Sequence, residues 1–264
     1  LVPSDPLFSV TAFMCVFNEA DIVPWTLEHL LKQGIDVHVI DNWSTDGSDK
    51  IAQQFPLAGF EQFPCGGDGG IYRWRQLLHR IEVLAKASRA SWCIHHDADE
   101  IRRSSRPDES LLEALARMDG DGYTAADHRV FCFHPVDELY AGDPEAHFRH
   151  YSEDGVDNRL PHIKAWKNRG GVSLAASGGH QAQFENRSVC PEPLILKHYP
   201  IRSSAQGARK VLTERVPRFD PVERAMSWHV QYDRLAQTKQ WVRDPQTLRE
   251  WSRAKDTTTC NSVA

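Results

Sequence analysis

The sequence predicts an α/β protein whose central sheet is mainly parallel and flanked by helices. Phe13–Phe17 is an apolar run suited to a strand buried on both faces. The apolar positions Ile22, Trp25, Leu27, Leu30 and Leu31 then recur at helical spacing up to Gly34, a natural helix stop. Ile35–Ile40 is a second strand. Strand, helix and strand in this order make a parallel pair joined by a crossover helix, and such units bind ligands outside the carboxyl ends of their strands.

Polar residues follow both strands: Asn18-Glu19-Ala20-Asp21 after the first, and Asp41-Asn42-Trp43-Ser44-Thr45-Asp46-Gly47-Ser48 after the second. Further along, the glycine-rich loop Phe63–Gly70 precedes a helix over 71–87, with Ile71, Trp74, Leu77, Leu78, Ile81 and Leu84 directed to the core. Glycines before a helix start suit phosphate binding by backbone amides as well as simple flexibility. A third strand, Trp92–His96, ends in Asp97-Ala98-Asp99-Glu100. Carboxylates gathered at a strand end suit a hard divalent cation, and such a cation suits a diphosphate.

Beyond these acids the pattern predicts a short helix over 108–118, a strand over 122–133 and an irregular stretch over 135–168 rich in Pro, Gly, His and charge. Long irregular loops in compact domains are usually functional. Trp166 and 172–176 are expected to add a strand, 194–196 another, and 206–215 and 222–251 helices, with Met226, Val230, Leu235 and Trp241 available for packing.

With 264 residues the chain can bury a sizeable core. A net charge of -5, from 31 basic and 36 acidic residues mixed throughout, argues against a general nucleic-acid binder. No apolar run reaches membrane-span length and no charged-then-apolar leader opens the chain, so a cytoplasmic protein without a transmembrane segment is expected, and a first residue of leucine adds the expectation of a trimmed chain. The 6 cysteines are scattered without a Cys-x-x-Cys pair, which predicts reduced thiols and no structural zinc.

Phe17-Asn18-Glu19, then Ile40-Asp41-Asn42-x-Ser44-Thr45-Asp46-Gly47, then His96-Asp97-Ala98-Asp99-Glu100 resemble the motifs of family 2 glycosyltransferases with a GT-A fold, clearly over about residues 10–105. Leu196-Lys197-His198-Tyr199-x-x-Arg202-Ser203 followed by Lys210 resembles a late His-Tyr segment of a subgroup with Asp-x-Asp-Glu. The resemblance implies one catalytic domain over 1–264: a Rossmann-like nucleotide-sugar half at about 8–130, an acceptor side at about 131–204 and C-terminal helices at about 205–255. It implies a metal-dependent, inverting transfer from a nucleoside-diphosphate sugar to an acceptor hydroxyl.

On that comparison Phe17, Asn18, Glu19, Asp41, Asn42, Arg75, Asp97, Arg202 and Lys210 bind the nucleotide-sugar, and Asp97, Asp99 and His198 hold Mn²⁺ or Mg²⁺. His180, beside two glycines, is the rival to His198. A carboxylate at Asp41 accepts the ring imide hydrogen of uracil or thymine, which favours a UDP- or dTDP-sugar. Inversion requires a general base within reach of the acceptor hydroxyl. The Glu-Asp pair usual at that point is not plainly present: Glu153-Asp154 lies in a glycine-containing loop. Asp127 is the preferred base, with Asp157 and Glu185 behind it. The rival readings are a sugar nucleotidyltransferase, which ordinarily shows a glycine-rich basic loop near its start, and a non-catalytic nucleotide- or carbohydrate-binding module.

Overall fold

The structure is a computed structural model that describes residues 8–67, 70–152 and 161–252. Its first unit is β1 (Val10–Val16), α1 (Val23–Lys32) and β2 (Asp36–Asp41), followed by α2 (Ser48–Ala52), β3 (Gly59–Gln62), α3 (Trp74–Ala87) and β4 (Trp92–Asp97). These four strands run parallel in the order β3-β2-β1-β4. β1 is apolar but for Thr11 because both faces are covered: Ala12, Met14 and Val16 pack with α1 and Leu111, Ala114, Leu115 and Met118, while Phe13 packs with Leu77, Leu78 and Ile81 of α3.

α1 buries Val23, Thr26, Leu27 and Leu30, one face of a helix. It stops at Gly34, whose φ of 77° and close approach to Leu112, 2.9 Å from any added Cβ, require glycine.

The remaining strands extend the sheet in mixed orientation. β5 (Glu100–Arg103) pairs with β9 (Val189–His198), and α4 (Leu111–Gly120) opens with a Ser110/Glu113 capping box. β6 (Ala125–Phe133) lies parallel to β9 and antiparallel to β8 (Ala165–Lys167), which in turn pairs antiparallel with β4. α5 (Pro144–His147) leads to β7 (His150–Ser152), and β10 (Arg249–Glu250) adds the edge. The mainly parallel character thus belongs to the amino-terminal half. The chain between β9 and β10 forms α6 (Ser204–Ala208), a π-helical stretch Arg209–Arg215, α7 (Pro221–Ala225) and α8 (Gln231–Thr238).

Three local expectations are corrected. The helix expected from residue 71 starts at Trp74; Ile71 is 44 % exposed, and Tyr72 is buried in its place. Residues 172–176 form no strand: they lead into a turn of 3₁₀ helix whose Leu174 and Ala175 amides donate to Glu82 at 2.6 and 3.0 Å. The helix expected over 222–251 is broken after α7, because Ser227 and His229 take positive φ of 63° and 64°. Met226 and Val230 consequently stay exposed, whereas Trp241 is buried against Gly207, where any Cβ would lie 2.9 Å from the indole.

Candidate active site

Register brings the polar strand ends together: Val16 of β1 lies beside Asp41 of β2, and Cys15 beside Asp97 of β4. Beyond β1, Asn18 takes a positive φ of 53°, and its Oδ1 accepts from Thr45 N at 2.8 Å. Ala20 N donates to Asp46 at 3.0 Å and Glu19 N to Ser48 Oγ at 2.8 Å, so Asp46 and Ser48 tie the two loops together.

Asp41 is fully buried. Its Oδ2 accepts from Ser44 N at 3.1 Å, while its Oδ1 has no partner, and burial pushes its carboxyl above the ordinary carboxylate value. Asn42 beside it donates to Phe63 O at 2.9 Å and accepts from Arg218 at 3.2 Å. Phe17 is buried under Arg218, whose guanidinium lies 3.7 Å from the ring centroid.

The acidic cluster divides into two ion-paired sets. Lys164 donates to Asp97 at 2.6 Å and to Glu100 at 2.8 Å, and Arg102 also binds Glu100. Lys210 donates to Asp99 at 2.8 Å and to Glu19 at 2.7 Å, and Arg202 binds Glu19 and, at 2.7 Å, Asp21. The turn carrying both aspartates is held from each side: Thr26 Oγ1 of α1 donates to Ala98 O at 2.7 Å, and Tyr199 N at the end of β9 donates to Asp99 O at 2.9 Å. The second contact sets His198 Nε2 3.6 Å from Asp99 Oδ1.

Burial alone would raise the pKa of each aspartate, but Lys164 with His95 outweighs it at Asp97, and Lys210 with His198 at Asp99; both stay ionised well below the ordinary range. The same balance holds Glu100 at about 2. At His198, burial opposes the charge, while Asp99 and Cys132 together raise the imidazole well above its ordinary value. Cys132 lies beside His198 in the β6/β9 ladder; against burial, His134 and His198 lower its thiol to about 6.

Of the residues singled out from the sequence, Phe17, Asn18, Glu19, Asp41, Asn42, Asp97, Asp99, His198, Arg202 and Lys210 gather at or just beyond the carboxyl ends of β1, β2, β4 and β9. Arg75 does not: its side chain is exposed, and its backbone amide caps α3 by donating to Glu223 at 2.7 Å, as Trp74 N does at 3.1 Å. The same two bonds correct the phosphate-loop reading, because the carboxylate of Glu223 already takes the helix-start amides. Asp97, Asp99 and His198 form no ready three-ligand cage, since among the described residues no three His, Cys, Asp or Glu are so arranged. His180 packs on His162, with ring centroids 5.3 Å apart. Asp127 sits at the β6 bulge, accepting from the amides of His128 and His162 at 2.8 and 2.7 Å, and burial raises its carboxyl. Glu153, Asp154 and Asp157 lie outside the described residues.

Sequence reasoning missed Lys164, Cys132, Arg215 and Arg218. Lys164 lies in the stretch read as irregular, just before a strand of three residues. Arg215 is hidden by register: an α-helical wheel pairs Lys210 with Glu214, whereas the π-helical stretch brings Lys210 and Arg215 toward one side.

Residues 11–64 match the family model described as glycosyl transferase family 2. Comparison with curated proteins finds no match. Among solved structures, S. aureus TarS is similar at 15% identity and a TM-score of 0.44, over 79% of this chain and 40% of that one. A glucosyl-3-phosphoglycerate synthase from Mycobacterium tuberculosis, solved with Mg²⁺ and uridine diphosphate, is similar at 14% identity and a TM-score of 0.33, over 48% of this chain and 44% of that one. The chain thus spans less than half the length of either. No helix among the described residues is long and apolar enough to cross a membrane. Residues 11–64, which run from β1 to just past β3, thus match glycosyl transferase family 2 within a mixed α/β fold whose amino-terminal strands are parallel.

Proposed function

We propose that this protein is a glycosyltransferase that moves a sugar from a nucleoside diphosphate, UDP or dTDP, to an acceptor hydroxyl with inversion. The observation that carries the reading is Asp41. A fully buried carboxylate with an unpartnered Oδ1, at the end of β2 and alongside Phe17 and Asn42, suits the imide N–H of uracil or thymine.

The diphosphate would extend from that base toward Asp99. Asp99 and His198 offer a hard oxygen and an imidazole nitrogen 3.6 Å apart. Mg²⁺ is usually held by one or two carboxylates plus substrate phosphates rather than by an all-protein cage, and Mn²⁺ accepts the same donors, so this pair fits either ion without a third ligand. When bound, the cation supplies charge neutralisation of the leaving diphosphate. Lys210 and Arg202 add positive charge at the same edge, and Lys164 holds Asp97 in place for a sugar or ribose hydroxyl. Asp127, with its raised carboxyl, is the proposed base for the acceptor proton.

The test is donor hydrolysis. UDP-glucose, UDP-galactose, UDP-N-acetylglucosamine and dTDP-glucose are incubated singly with the protein and Mn²⁺, and free nucleoside diphosphate and sugar are measured. Release from one donor supports the reading. Pyrophosphate released from UTP and a sugar phosphate would instead support a nucleotidyltransferase, and silence in both assays a binding module.

A further inference from the structure

The cationic side chains at these strand ends have oxygen partners, with one exception; Arg218 donates to Asn42 Oδ1 at 3.2 Å and to Glu214 O at 3.4 Å. Lys210 has Glu19 and Asp99, Arg202 has Glu19 and Asp21, and Lys164 has Asp97 and Glu100. Arg209, at the start of the π-helical stretch, lies 3.5 Å from Glu214 and 4.0 Å from Asp46. Arg215, at its end, has neither a carboxylate nor a hydrogen-bond partner among the described residues.

Its guanidinium lies over two rings, 4.6 Å from the centroid of Tyr72 and 5.7 Å from that of Phe17, and its Nε is buried without a partner. Ring faces attract a guanidinium but leave its N–H groups unused, and burying them unpaired is costly. Burial disfavours its charge, yet Tyr72, Tyr232, Glu19 and Asp99 lie close enough to favour it. The π-helical turn itself strains the helix and occurs often at functional sites. A planar fork of donors, held on aromatic rings beside the base-binding strand end and within electrostatic reach of Asp99, has the chemistry of a phosphate ligand.

We infer that Arg215 binds the diphosphate of the donor and stabilises it as it leaves. In the transfer the anomeric carbon–oxygen bond breaks and its electron pair passes to the diphosphate oxygen, where the guanidinium N–H groups meet the new charge. The acceptor oxygen bonds to the anomeric carbon and its proton goes to the base. The assignment rests on the nucleotide-sugar reading above.

The experiment compares UDP with uridine by titration calorimetry in Mn²⁺, using the wild type, Arg215→Gln and Arg215→Lys. Uridine lacks the phosphates, so a phosphate ligand acts on one titration only. Arg215→Gln is expected to weaken UDP binding about 30-fold, on the scale of a charge-assisted bidentate contact, and to leave uridine unchanged. Arg215→Lys keeps the charge over the rings but loses the fork, and is expected to weaken UDP about fivefold; it carries the test if the glutamine variant does not fold. Equal loss for UDP and uridine would overturn the assignment and make Arg215 a packing residue for Phe17 and Tyr72. Unchanged UDP affinity in both variants would overturn it as well. A wild type that binds neither UDP nor dTDP would remove the nucleotide-sugar reading itself, and this inference with it.

Discussion

Lys164 Nζ stands between Asp97 and Glu100, 2.6 Å from one carboxylate and 2.8 Å from the other, with only 5% of its own side chain exposed. It fixes the first acid of the pair from just before β8, the antiparallel neighbour of β4, where His95 N donates to Lys164 O at 2.9 Å. Removing the ammonium leaves Glu100 to Arg102 alone and the half-buried Asp97 to His95, so Lys164→Met should cost up to roughly 3–5 kcal/mol in urea unfolding. Lys164→Met combined with Glu100→Gln should recover part of that loss. Additive losses in the two variants would show that the residues are not coupled.

Asp99, not Asp97, is the acid expected to face the cation. Asp99→Asn should lower donor turnover by roughly 100-fold or more, on the scale of losing one stabilising group at the reacting centre. His198→Ala should raise the Mn²⁺ concentration needed for half-maximal turnover, and His180→Ala should not. A shift for His180 alone, or full turnover of the wild type in excess chelator, would contradict the metal assignment.

The base-reading role of Asp41 predicts a change of preference as well as a loss. With its amide N–H directed to the ligand, Asp41→Asn should weaken UDP binding about tenfold while leaving CDP binding unchanged or stronger, since cytosine presents an acceptor at the same ring position. Equal changes for both nucleotides in calorimetry would remove Asp41 from the base site.

Glu145 predicts an acid-sensitive contribution to stability away from the cleft. Burial opposes its charge, but Arg103 and Lys197, the latter at 2.7 Å, lower its pKa from 4.5 to about 2. A carboxyl depressed in the folded state stabilises above its unfolded pKa, and that stability is lost as pH falls from about 4.5 toward 2. The contribution is at most on the order of 3 kcal/mol. Thermal unfolding between pH 6 and 3 should therefore fall less steeply for Glu145→Gln than for the wild type, and parallel curves would refute it.

The parts legible in the sequence are those in which local pattern and tertiary role coincide. β1, α1 and β2 announce themselves by apolar runs and helical spacing, and their polar ends identify Asn18, Asp41 and Asp97 to Asp99 before any contact is seen. What escaped depends on pairing across the sheet. β9 runs over 10 residues, but only its Leu194–Leu196 core has an apolar pattern; the rest is a strand because β5 and β6 flank it. Lys164 gained its role from a three-residue strand that no periodicity marks. Arg215 and Arg218 reach Phe17 because bonds distant in sequence tie their segment to the strand ends, among them Tyr72 N to Arg218 O at 2.6 Å and Asn18 Nδ2 to Glu214 at 2.8 Å.

Whether a uracil or thymine nucleoside diphosphate is held between Asp41 and Asp99 is decided by thermal unfolding with UDP, dTDP, CDP, GDP and ADP, each with Mn²⁺ and with chelator. A rise in Tm with UDP or dTDP that needs the metal is expected, with little change for the other three. A folded protein whose Tm moves with none of the five, Mn²⁺ present, would contradict it.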